Sequence, residues 1–316
     1  MMAFAGLRAH GRSALAIAAA DLSMLARSNS EFPKSWVVGR EVAKDQPKNL
    51  ACPRITIVTP SFNQGQYIED TIKSVLLQGY PNLEYIIVDG GSTDGTVEII
   101  RKYEPWISYW ESTPDRGQAD ALNKGFARAT GRICAYINSD DYYLPGAFEY
   151  VAAMSRRTQF NFLFGRNQLA NRARSRKSII RDALAPIPHP LLVGHPIYAI
   201  AQDASFWSLD DATKFDEGFQ FCLDVEFFLR SVSGQLVVMS DRGLSFFREH
   251  PASKTSSIRH IGEQESKRLR ESIQDRGVGA AQQERIVRSY RAENLKTHFA
   301  RLAGRRGPAE FIYRHP

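Results

Sequence analysis

Hydrophobic positions along the chain change period several times, and each change marks an element. Arg54-Ile-Thr-Ile-Val-Thr59 is a β-branched run stopped by Pro60-Ser61, which predicts a strand and then a loop. Tyr67, Ile68, Ile72, Val75 and Leu76 follow at the spacing of one helix face. The plan repeats in Leu83-Glu-Tyr-Ile-Ile-Val88, a continuous apolar strand, the turn Asp89-Gly-Gly-Ser-Thr-Asp-Gly95, and a helical stretch over residues 96–103. A helix over residues 117–129 and a strand Ile133-Cys-Ala-Tyr-Ile137 make a third unit, ending in the polar loop Asn138-Ser-Asp-Asp141. Tandem β-loop-α units predict a parallel sheet, because strands apolar throughout must be buried on both faces. Right-handed crossovers bring the three loops to one edge, where such sheets bind ligands.

Beyond Leu144 the pattern loosens into a helix to about residue 155, a strand near 161–164, an Arg-rich stretch over 166–181, a Pro-rich loop over 186–196 and a helix over 225–232. The ends differ from this middle. Residues 3–27 are helix-compatible and lead into a connector, while the chain from 261 onward has helical spacing with many Arg and Lys. The expected organisation is an N-terminal helical extension and linker (1–53), an α/β domain (54–257, dividing into 54–145 and 146–257) and a basic helical C-terminal extension (258–316).

Composition changes this picture in one respect. The net charge of +7 suggests a nucleic-acid partner until it is located. Residues 258–316 carry 13 Lys and Arg against 7 Asp and Glu, and residues 1–53 carry 7 against 4. Residues 54–257 keep 21 against 23, so the middle is slightly acidic and suits a site that recruits a cation better than one that tracks phosphates. No nucleic acid is expected. A basic helix could lie on an anionic membrane surface or pack on the core as an ordinary solvated helix. Cys52, Cys134 and Cys222 are widely spaced without a CxxC pair, which argues against a zinc site and a disulfide framework and for a reducing, cytoplasmic setting. The apolar stretch 14–20 is at the lower limit for a signal peptide and is expected to be a surface helix.

The adjacent carboxylates of Asn138-Ser139-Asp140-Asp141 are costly at a strand end unless a positive charge neutralises them. A divalent cation, Mn²⁺ or Mg²⁺, would do so, with substrate phosphates completing its ligands; a helix N-cap is the plainer use of the same residues. In the second loop, Gly90 and Gly91 let the backbone approach a ligand, Asp89 can accept a hydrogen bond from a base or ribose, and Ser92 can cap the next helix. Neither Gly-x-Gly-x-x-Gly nor a Gly-Lys-Ser/Thr cradle occurs in this loop, which disfavours dinucleotide binding and NTP hydrolysis.

Taken in order, Thr59-Pro-Ser-Phe-Asn63, Val88-Asp-Gly-Gly-Ser-Thr-Asp-Gly95, Pro114-Asp-Arg-Gly-Gln-Ala-Asp-Ala-Leu-Asn-Lys-Gly125 and Asn138-Ser-Asp-Asp141 resemble the successive motifs of family 2 glycosyltransferases. Phe215-Asp-Glu-Gly218, Cys222-Leu-Asp-Val-Glu-Phe-Phe-Leu-Arg230 and Phe247-Arg-Glu-His250 extend the likeness over residues 54–257. The resemblance implies a GT-A fold, with a Rossmann-like nucleotide half joined to an acceptor half, and inverting transfer of a sugar from a nucleoside diphosphate, UDP foremost, to a glycan or lipid-linked glycan.

By position, the resemblance assigns Pro60, Ser61, Asn63, Asp89, Ser92, Asp94, Asp115, Asp120, Asn123, Asn138 and Ser139 to the donor, and Asp140, Asp141 and His250 to the metal. Asn138 stands where the family's Asp-x-Asp motif has its first Asp. Asp224 would be the catalytic base, since a hydroxyl must lose its proton as it attacks the anomeric carbon; the plainer use is a carboxylate at a helix start. Gln202, Phe206, Trp207 and Glu226 would face the acceptor, although buried aromatics are more often core. Two rivals remain: a metal-dependent nucleotidyltransferase, which releases pyrophosphate, and a non-catalytic nucleotide-sugar-binding module on the same fold.

Overall fold

The computed structural model describes residues 52–169, 201–209, 213–232, 234–275 and 310–314. Their first half realises the repeated β-loop-α plan. β1 (Ile55–Ser61) is buried throughout and lies between β2 (Leu83–Asp89) and β4 (Ile133–Tyr136), parallel to both; β3 (Tyr109–Ser112) runs parallel on the far side of β2. The intervening helices are α1 (Ile68–Leu76), α2 (Thr96–Tyr103) and α3 (Gln118–Phe126). Register pairs Ser61 with Asp89 and Val58 with Tyr136, so the loops after β1, β2 and β4 leave the sheet at one edge.

The second half turns the sheet mixed. β5 (Tyr142–Tyr143), α4 (Ala147–Thr158), β6 (Phe162–Leu169), β7 (Ser205–Ser208), α5 (Leu223–Ser231), β8 (Leu236–Phe247), α6 (Lys254–Ser257), α7 (Arg259–Asp275) and β9 (Glu310–Arg314) follow in order. The strands lie in the order β3-β2-β1-β4-β7-β6-β8-β5, with β9 also on β8. β7 is antiparallel to β4 and β6, whereas β6 and β8 are parallel. This is the mixed α/β sheet with flanking helices expected of a GT-A fold.

Five strands were not anticipated, among them the short β5 and β7. β3 is short and half-buried, β8 contains the polar run Ser240-Asp-Arg-Gly243, and β9 pairs with a strand some 70 residues earlier in the chain. Of the residues expected to form a helical C-terminal extension, 259–275 are the helix α7, whereas 310–314 are strand. Nor is α7 an appendage. The Glu265 carboxylate accepts the N–H groups of Gln220, Phe221 and Cys222 at 2.7, 2.9 and 2.8 Å, just ahead of α5. Gly262 lies so close to the Phe221 ring that a Cβ would sit 2.5 Å from it. Among the described residues no helix is long and apolar enough to cross a membrane. The expected N-terminal helix, the Pro-rich loop and the Arg-rich stretch from residue 170 lie outside the described residues.

Candidate active site

The loop after β4 is held by the polar side of α1. Thr71 Oγ1 contacts the carbonyls of Ser139 and Asp141 at 2.9 and 2.6 Å, Ser74 Oγ accepts the Tyr143 N–H, and Gln78 Nε2 donates to the Leu144 carbonyl. Loop backbone is thereby satisfied without a regular partner, as buried polar groups require. Asp140 Oδ2 meets His250 Nε2 at 2.9 Å. Asp141 does different work: its Oδ1 accepts the Arg248 N–H and its Oδ2 faces Asn138 Nδ2. Arg248 is itself fixed, with its guanidinium on Asp70 at 3.1 Å and beside the rings of Tyr67 and Tyr142. Tyr67 also packs on the His250 ring, at 4.4 Å between centroids.

A divalent cation fits this arrangement. Asp140 and His250 converge, His250 Nδ1 is buried without a hydrogen-bond partner, and the Asp141 pKa is raised well above the carboxylate range by burial and then by Asp140 and Asp203. The described residues contain no group of three Asp, Glu, His or Cys arranged for a metal, so water and phosphate oxygens would supply the other ligands, as is common for Mg²⁺. Asn138 accepts from Gln118 Nε2 at 2.6 Å and reaches Gln202 Oε1 at 3.3 Å. An aspartate in its place would add a carboxylate to an already acidic group.

The loops after β1 and β2 are built from each other. Asn63, at φ +52°, donates its N–H to Ser92 Oγ and accepts the Thr93 N–H; Asp94 accepts from Gly65 and Thr96. Asp89 is fully buried, and its carboxylate takes the N–H groups of Gly91 and Ser92 and the hydroxyls of Ser92 and Ser112. Four internal donors therefore meet a group that the sequence suggested for base or ribose. Pro60 and Ser61 end β1, and Ser61 Oγ is buried with no hydrogen-bond partner. Asp115 lies over Gly90, where a Cβ would come within 2.8 Å of its Oδ2, so only glycine allows the contact.

Asp224 lies in the first turn of α5. Burial raises its pKa to about 6, against backbone N–H groups and the attraction of Lys254, while Asp203 pushes it up further. Asp203, which sequence reasoning passed over beside Gln202, is buried on Ser245 Oγ and Asn167 Nδ2, and burial likewise lifts its pKa to about 6. Lys254 was also missed. Its Nζ donates to Gln118 Oε1 at 2.6 Å and to the Gln220 carbonyl at 3.0 Å. It interacts electrostatically with Asp224, Glu265, Asp115 and Asp140, and its bond to Gln118, which donates to Asn138, ties the segment ahead of Asp224 to the Asp140 loop.

Several expected residues serve the scaffold instead. Phe206 and Trp207 are buried, at 0% and 1% exposure, in an aromatic core with Phe148, Tyr136, Phe215 and Phe227, and so cannot stack on an acceptor sugar. Glu226 is paired with Arg230 one turn away, and Gln202 donates to the Tyr136 carbonyl. Hydrogen bonding to Arg116 foremost holds the Asp120 pKa down to about 2, and Lys124 adds to it. Asn123 brackets the Phe215 backbone with both amide atoms. Ser139 is buried, contributing its carbonyl to Thr71.

Comparison with known proteins agrees with this fold. A family model described as "Glycosyl transferase family 2" matches residues 56–197. An uncharacterized glycosyltransferase of Mycobacterium tuberculosis (strain CDC 1551 / Oshkosh) is 33% identical over 192 residues, covering 57% of this chain and 70% of the relative. The putative teichuronic acid biosynthesis glycosyltransferase TuaG of Bacillus subtilis (strain 168) is 43% identical over 102 residues, 31% of this chain and 40% of TuaG. Among solved structures, S. aureus TarS 1-349 in complex with UDP-GlcNAc superposes with a TM-score of 0.53 at 20% identity, over 65% of this chain and 61% of TarS 1-349. That likeness concerns the fold.

Proposed function

This chain belongs to the family 2 glycosyltransferases, and from that premise we propose that it moves a sugar from a nucleoside diphosphate, UDP foremost, to a polysaccharide hydroxyl with inversion at the anomeric carbon. The observation that supports the proposal is the hydrogen-bonded link from the Gln220 carbonyl, four residues before Asp224, through Lys254 and Gln118 to Asn138, two residues before Asp140. Asp224 takes the proton of the acceptor hydroxyl as its oxygen bonds to the anomeric carbon and the carbon–oxygen bond to the diphosphate breaks. A pKa of about 6 leaves Asp224 ionised at neutral pH yet more basic than an ordinary carboxylate, which suits a general base. Asp140 and His250 would hold the divalent cation, which when bound neutralises charge on the departing diphosphate.

UDP as carrier is supported by the UDP-GlcNAc complex of TarS, and a polysaccharide acceptor by the name of TuaG. The test is product analysis of the purified chain with UDP- and GDP-sugars and Mn²⁺. Release of nucleoside diphosphate is expected from one of them. Pyrophosphate released from an NTP would instead indicate a nucleotidyltransferase, and donor binding without turnover, unchanged in Asp224→Ala, a binding module.

A further inference from the structure

Lys254 begins α6, four residues after His250, and the two are linked by a turn in which the Ser253 N–H bonds to the His250 carbonyl. One short segment therefore delivers a histidine to Asp140 and an ammonium to Gln118 and the Gln220 carbonyl. That ammonium joins two separate parts of the chain. Its bond to Gln118 Oε1 continues through Gln118 Nε2 to Asn138 Oδ1, and Asn138 Nδ2 reaches Asp141 and Gln202. Its bond to the Gln220 carbonyl continues through the Gln220 N–H to Glu265 on α7, which also holds the N–H of Cys222, two residues before Asp224.

We propose that Lys254 is a positioning residue that braces the segment bearing Asp224 against the Asp140 loop and holds a positive charge beside that segment. This role concerns the transfer reaction proposed above and rests on that assignment. The groups in electrostatic play around Asp224 are Lys254 and Asp203, with Cys222 and Tyr136 also responding to its charge. Around Lys254 they are Asp224, Glu265, Asp115 and Asp140. Lys254 provides the attraction that opposes burial at Asp224. Its own pKa is lowered, first by desolvation, although the four carboxylates favour the charged form. Loss of the ammonium should therefore loosen the Gln220 peptide and let the Asp224 pKa climb.

The test compares wild type, Lys254→Met, Lys254→Gln and Lys254→Arg, all without donor. Carbon-13 NMR of labelled aspartate carboxylates follows the Asp224 titration, assigned by the signal missing from Asp224→Asn, and hydrogen exchange follows the amides of residues 220–222. Lys254→Met is expected to raise the Asp224 midpoint by about half a pH unit or more and to speed exchange at 220–222, with Lys254→Arg restoring both. Should Lys254→Met fail to fold, Lys254→Gln supplies the same readout. An unmoved midpoint in the folded variant, or a shift that Lys254→Arg leaves uncorrected, overturns the role. Neither measurement uses a sugar donor, so such a failure is distinct from failure of the transferase assignment, which only the product assay decides.

Discussion

The loops after β1 and β2 and the segment bearing Asp224 both carry candidate site residues, yet they are built by opposite means. In the loops, polar groups answer one another: Asp89 takes four internal donors, and Asn63, Ser92 and Asp94 lock the two turns together. Around Asp224, burial keeps carboxylates at raised pKa values, with Asp203 adding to the repulsion. A self-satisfied loop gains shape and loses reactivity, whereas a buried acid kept near pH 6 stores electrostatic cost that a proton or a cation can relieve. Recurrent sequence motifs can therefore mark the mould as well as the reagents.

The contrast is open to direct challenge, beginning with the largest effect. Asp140→Ala should abolish Mn²⁺-dependent binding of UDP in calorimetry, and binding that survives EDTA would count against the cation assignment. Asp224→Asn should cut turnover by about 10²-fold or more with donor affinity near wild type. Wild-type activity should rise with pH through about 6 as Asp224 ionises. Stability should run the other way. Because the folded pKa is raised above the ordinary 3.8, the contribution of Asp224 to stability is fully present below that value and is lost as pH rises through about 6. Asp224→Asn should therefore exceed wild type in thermal stability at pH 8, by up to about 3 kcal/mol, and much less at pH 4.5. Equal stabilities at both pH values would remove the electrostatic contrast. On the scaffold side, Thr71→Val should cost about 1–3 kcal/mol in chemical denaturation, since it strips two buried carbonyls of their hydroxyl partner.

The parts of this design that were legible in sequence share a physical cause. β1, β2 and β4 are apolar runs closed by polar turns, and their parallel pairing follows from being buried on both faces. β9 left no local trace, because its partner Leu236–Ser240 is remote in the chain and only folding brings them together. In the site, Asp140 could be singled out because adjacent carboxylates mark it, and His250 and Asp224 through the resemblance to an ordered set of motifs. Lys254 and Gln118 could not, since their significance lies in a bond between side chains 136 residues apart. The aromatics failed in the reverse direction: Phe206 and Trp207 sit in a strand flanked on both sides by β4 and β6, and that position seals them in the core.

The β9 pairing has a practical corollary. Residues 310–314 shield the backbone of the first five residues of β8, with the Tyr150 hydroxyl and Arg157 clasping Glu310. Trimming the protein after α7 would bare that backbone as a ready template for another polypeptide, inviting self-association without touching any residue near the chemistry.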